Sequence, residues 1–215
     1  MVKGPSLQEL LNEFTQAPFL KMDVENATAS PIVIGGKFEL LLNWWKGGDR
    51  LTAGLKVWAG RMESIRIARA MQSAMRKPEF LSEDLLNIGM IAYDPDVPDN
   101  KVEPFYFDAR RGPNAHSRDV GFSTDALGMT TTASPAVELL CLVGIQRVRP
   151  LSGGKPRLYD YHTWSRPLPA LLAPVAAAGL LPDVAAQGYR FESWFRTSQR
   201  KHKAFLSAKL KTDTP

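Results

Sequence analysis

Two apolar, strand-prone runs, Ile32-Val33-Ile34 and Phe38-Glu39-Leu40-Leu41-Leu42, lie on either side of Gly35-Gly36. Adjacent glycines accept the positive φ angles of a tight turn, so the segment is predicted to form a β-hairpin. An antiparallel pair therefore has to be reconciled with several helical signals. Ser6-Leu7-Gln8-Glu9 has capping-box spacing, and Leu7, Leu10, Leu11 and Phe14 recur on one face before Pro18 ends the helix. Arg61 to Lys77 reads as a second helix, apolar at Met62, Ile65, Ala68 and Met75 with Gln72 on the same face, and stopped by Pro78. Ser134-Pro135 opens a third, with a hydroxyl at the cap and proline in the first turn. Its continuation from Val137 to Ile145 is apolar almost all round, as expected of a central core helix.

Glu103 to Asp108, Arg157 to Trp164 and Tyr189 to Phe195 are predicted strands. Leu168 to Leu181 is a predicted helical segment rich in alanine and proline, and Asp94 to Asn100 a predicted linker. The expected fold class is α+β, a largely antiparallel sheet with packed helices, in a single domain over residues 1–195 followed by a basic tail over 196–215. At 215 residues, 44% of them hydrophobic, the chain can build a good core.

Charge is distributed in blocks. From Arg50 to Lys77 seven Lys or Arg face only Glu63; from Pro78 to Asp108 eight acids face only Lys101; from Arg196 to Lys211 six Lys or Arg and His202 occur without an acid. Such blocks suggest a polyanionic partner at the basic surfaces and a protein partner at the acidic one. Cys141 is the only cysteine, which excludes an internal disulfide and points to a reducing, cytoplasmic compartment. The uncharged stretch from Pro167 to Pro182 is broken by prolines and shorter than the ~20 apolar residues of a membrane helix, so no membrane partner is expected.

Enzyme signatures fail on inspection. Ser152-Gly153-Gly154-Lys155-Pro156 lacks a glycine at Arg149 and a hydroxyl residue at Pro156, which makes it a turn rather than a phosphate loop. Gly121-Phe122-Ser123-Thr124-Asp125 lacks the second glycine of a nucleophile elbow. Neither a cofactor nor a metal is expected. Asp108, His116 and Asp119 are the residues a metal-dependent nuclease would use, and that activity is the alternative to a binding role. A third alternative is an assembly scaffold that touches only protein.

The candidate nucleic-acid contacts fall in four places. Arg66, Arg69 and Arg76 follow one another along one face of the second helix. Arg110, Arg111 and Arg118 sit in the long polar loop between Ala109 and Thr132, where guanidinium groups can grip phosphate oxygens in pairs. Arg200, Lys201 and Lys203 lie in the basic tail, and Lys56 stands beside Trp58. The tryptophans are otherwise expected to be core or interface anchors.

Five stretches in order carry a family resemblance: Leu55-Lys56-Val57-Trp58-Ala59-Gly60, Glu103 to Arg111, Asp119-Val120-Gly121-Phe122-Ser123, Pro135 to Leu140 and Tyr161-His162-Thr163-Trp164-Ser165. Together they resemble a family of bacterial CRISPR-associated proteins of type I-G (formerly I-U) systems, the large- or small-subunit components of an RNA-guided complex. The resemblance implies a non-catalytic subunit in antiviral defence. It would hold guide RNA or target DNA beside other effector subunits while a separate helicase-nuclease cleaves. Family members carry a further N-terminal region with an Asn-Pro-Gly-Gln-like segment, so the resemblance also implies that Met1 is an internal start or a boundary within a longer product.

Overall fold

The computed structural model describes residues 6–22, 31–42, 63–81, 85–108, 132–195, 203–205 and 207–212. They form four α-helices and three antiparallel sheets, an α+β fold.

Helix α1 (Leu7–Gln16) starts at the expected capping box: Glu9 N–H donates to the Ser6 hydroxyl at 3.2 Å, and Ser6 N–H donates to the Glu9 carboxylate at 2.6 Å. Strands β1 (Phe19–Lys21), β2 (Ile32–Ile34) and β3 (Leu40–Leu42) follow as a three-stranded meander, with Phe19 opposite Ile34 and Ile32 opposite Leu42. The β2–β3 reversal falls at the predicted glycines, but residues 35–39 form a longer loop in place of the tight turn, with Gly36 at φ +66° and Glu39 at φ +42°. Helix α2 (Ser64–Ala74) buries Ile65, Ile67, Ala68, Met71 and Ala74.

The stretch predicted as a linker is instead a hairpin, β4 (Tyr93–Asp94) against β5 (Val97–Lys101). Asp94 makes the turn itself by accepting Asp96 N–H at 3.0 Å, a local side-chain bond that proline-rich composition hides. The strand predicted over Glu103–Asp108 does not form among the described residues. Tyr106 has φ +64°, which breaks the pleat, and the segment folds around helix α3 (Pro135–Gly144) instead. Helix α3 starts where Ser134-Pro135 placed it, but the Ser134 hydroxyl donates to the Leu86 carbonyl at 3.0 Å rather than capping the helix. One buried cluster joins α1, the meander, α2, the segment from Phe80 to Phe105 and α3, ending at Leu142.

The remaining strands build a second sheet. Strands β6 (Leu151–Ser152) and β7 (Leu158–Trp164) form a hairpin whose turn is Gly153–Arg157, closed by Gly153 N–H to Leu158 O at 2.7 Å. The glycines of Ser152-Gly153-Gly154-Lys155-Pro156 therefore serve a chain reversal, with Gly154 at φ +81°. Helix α4 (Ala173–Ala177) is much shorter than the predicted segment, because Pro174 sits in its first turn and Gly179, at φ +72°, ends it. Strand β8 (Ala185–Phe195) pairs with β7 from Ala185 to Glu192.

The tail boundary predicted at residue 196 is corrected. Strands β9 (Lys203–Phe205) and β10 (Lys209–Leu210) both return to β8, placing Lys203 opposite Phe195 and Lys209 opposite Arg190. A strand of eleven residues has a long row of donors and acceptors on its outer edge, and these short lysine-bearing strands cover part of it. Helix α4 lies on the face of this sheet that carries His162. A Cβ at Gly179 would fall 2.5 Å from the imidazole and one at Gly188 3.0 Å from it, so the ring occupies a slot that only glycines leave open.

Candidate nucleic-acid interface

The three arginines of α2 each bind another part of the chain, with Arg66 and Arg69 partly exposed and Arg76 exposed. Arg69 donates to the Phe19 carbonyl at 2.9 and 3.2 Å, and Arg76 to the Thr15 carbonyl at 2.5 and 2.8 Å. Between them Gln72, 6% exposed, donates to the carbonyls of Phe14 at 2.6 Å and Ala17 at 2.7 Å. Residues 69, 72 and 76 share a helix face; Gln72 and Arg76 satisfy carbonyls at the C-terminal end of α1, and Arg69 satisfies one in β1. Arg66 is paired with Asp94, whose carboxylate is buried. A groove of about 370 Å³ beside Arg66 and Arg69 is also lined by Glu63, Asp94 and Asp96. With more carboxylates than guanidinium groups, it is poorly matched to phosphate. The expected line of guanidinium groups thus also clamps α2 to α1 and β1 and ties it to the β4–β5 hairpin.

Asp108 is 6% exposed and its backbone N–H donates to Glu138 Oε1 at 3.1 Å. Glu138 is 1% exposed on α3, and its second oxygen is buried with no hydrogen-bond partner among the described residues. Burial pushes its carboxyl up to about 7, and the Asp108 charge adds to this; the amides of Asp108, Phe105 and Phe107 pull it partway back. The same environment pushes the Cys141 thiol up to about 11, through burial first and then the charges of Glu138 and Asp108. Among the described residues, no group of three or more His, Cys, Asp or Glu could hold a metal ion. His116 and Asp119 lie outside the described residues, as do Lys56, Arg110, Arg111, Arg118, Arg200 and Lys201; Lys203 is described through its place in β9.

The sequence from β6 onward concentrates the positive charge. Residues 151–215 carry ten Lys or Arg against four Asp or Glu, whereas residues 1–150 carry seventeen against eighteen. The whole net charge of +5 therefore originates beyond the start of β6. Part of it is compensated on the His162 face. Asp160 accepts both Nε and a terminal nitrogen of Arg190, at 2.7 and 2.8 Å, with Lys211 at 3.6 Å. The Arg190 hydrogen bonds chiefly hold the Asp160 carboxyl below the usual carboxylate range. Arg157 lies 3.9 Å from Glu192. Lys155, Arg166 and Lys209 are exposed.

The opposite face of the same two strands carries paired aromatic side chains. Tyr159 stacks on Phe191 at 5.5 Å between ring centroids, Tyr161 on Tyr189 at 5.4 Å, and Tyr161 meets Phe191 edge-on at 6.0 Å. All four side chains are half-buried. The signal was present as alternation, aromatic at 159 and 161 and again at 189 and 191, but only the β7–β8 register turns two pairs into one ladder.

Among the described residues no helix is long and apolar enough to cross a membrane. No family model, no curated protein and no solved structure matches the chain.

Proposed function

We propose that the chain is a non-catalytic nucleic-acid-binding subunit of an RNA-guided type I CRISPR effector complex, acting in antiviral defence, with the second sheet as its contact surface. The observation that carries this reading is the charge partition. A surplus of six positive charges in residues 151–215, beside a nearly neutral remainder, is the footprint of a polyanion partner on one part of the molecule. The family resemblance supplies the assembly in which such a surface would work. Exposed apolar side chains around α4, with Leu171 78% and Leu180 68% exposed, favour a protein neighbour there, as a subunit among other effector subunits would have.

The test is salt-dependent binding of RNA and DNA probes by the full chain. Affinity is expected to fall steeply as salt rises, because each phosphate contact releases counterions. The double substitution Lys155→Ala with Lys209→Ala, at two exposed positions, is expected to flatten the slope of log affinity against log salt by about 1.4 on single strands. An unchanged slope in the double variant, or binding indifferent to salt, would remove the reading.

A further inference from the structure

Resting on the nucleic-acid reading above, we infer that Arg190, Lys209 and Lys211 form a phosphate-binding site on the face of the second sheet that carries His162. Strand register assembles it. Lys209 stands directly opposite Arg190, and the Lys211 amide donates to the Gly188 carbonyl at 2.8 Å, so residues 188, 190, 209 and 211 share one face. Asp160, the partner of Arg190 on β7, shares it too.

Like charges gathered on one face repel, and a buried carboxylate holds two of them together. Asp160 is 7% exposed; its Oδ1 accepts Arg190 Nε at 2.7 Å, and its Oδ2 accepts a terminal nitrogen of Arg190 at 2.8 Å with Lys211 Nζ at 3.6 Å. Both oxygens are occupied, so an incoming anion meets cations rather than the carboxylate. The other carboxylate on this face, Glu192, is matched by Arg157 at 3.9 Å. Asp160 thus balances only one of three cations. The surplus is open to solvent: the Arg190 side chain is 41% exposed, that of Lys211 33%, and Lys209 is exposed. Among the described residues Lys209 has no ion-pair partner. Arg190 spends Nε and one terminal nitrogen on Asp160, which leaves the other for a ligand. A carboxylate offers two oxygens, whereas a phosphate group carries more acceptors around one centre and can take a guanidinium and two ammonium groups together.

The experiment follows backbone amide NMR signals of the intact chain in separate titrations. The ligands are inorganic phosphate, oligo(rU) and oligo(dT) of about 15 nucleotides, a methylphosphonate oligo(dT) whose backbone is uncharged, and polyglutamate of the same charge as the natural strands. The signals of Arg190, Lys209 and Lys211 are expected to move with oligo(rU), oligo(dT) or both, and to stay in place with the methylphosphonate strand and with polyglutamate. Movement with inorganic phosphate as well identifies a site for a free phosphate group; movement with strands alone identifies the phosphodiester backbone as the source. Lys209→Gln with Lys211→Gln is expected to flatten the slope of log affinity against log salt by about 1.4 on single strands. Lys37→Gln with Lys101→Gln removes the same charge from the first part of the chain and is expected to leave the slope unchanged. Equal flattening by both pairs, or strand binding that moves other signals and not these three, would overturn the site and leave the polyanion reading standing. Polyglutamate moving the three signals as strongly as a strand would overturn phosphate as the ligand and point to an acidic protein. Movement with inorganic phosphate while no strand binds would keep the site and remove the strand-binding reading; binding of no ligand would overturn both. The titrations use the unsubstituted protein, so a glutamine variant that fails to fold leaves them decisive.

Discussion

Between pH 5 and pH 8, the wild-type chain is expected to lose stability that a Glu138→Gln variant keeps. In the folded protein the Glu138 carboxyl is pushed from 4.5 up to about 7, so the native state binds its proton more tightly than the unfolded chain does. The contribution is therefore complete below about pH 4.5 and is lost as pH rises through about 7. A shift of that size corresponds to on the order of 3 kcal/mol. Glutamine keeps an acceptor for the Asp108 amide and carries no charge at any pH. Urea unfolding of both proteins across this range checks the point, the difference between them isolating Glu138 from every other titrating group. Parallel pH profiles would mean that the buried carboxylate is better solvated than its surroundings indicate.

Replacing Gln72 by leucine is expected to cost about 2–4 kcal/mol of unfolding free energy. The amide satisfies two carbonyls at once, those of Phe14 and Ala17, both belonging to buried residues at the end of α1. Leucine fills similar volume and leaves both acceptors unpaired in the interior. The urea midpoint reads the loss, and a change below about 1 kcal/mol would mean that water or neighbouring donors replace the amide.

What the amino-acid pattern revealed was local chemistry. Ser6 with Glu9, Gly35 with Gly36, and Ser134 before Pro135 each state their conformation within four residues, and the structure places an element boundary at each. The arginines of α2 show the limit. Their spacing identified a common helix face, but not that the face would meet the carbonyls of Thr15 and Phe19, some fifty to sixty residues earlier in the chain. Tyr106 misled for a related reason. Glu103 to Asp108 has strand composition, yet the neighbouring amides are drawn to a carboxylate on α3, and that requirement belongs to the tertiary fold. The aromatic alternation on β7 and β8 was legible one strand at a time. The ladder depends on a register that couples residues about thirty positions apart.

Strands β9 and β10 bear on how the molecule can be shortened. A chain trimmed after Phe195 would keep every element the composition marks as folded. It would also strip β8 of the neighbours at Ser193–Phe195 and Tyr189–Arg190, leaving a bare ribbon ready to recruit a strand from another molecule. Strands β9 and β10 thus occupy backbone donors and acceptors of β8 that would otherwise be open to a strand from another molecule.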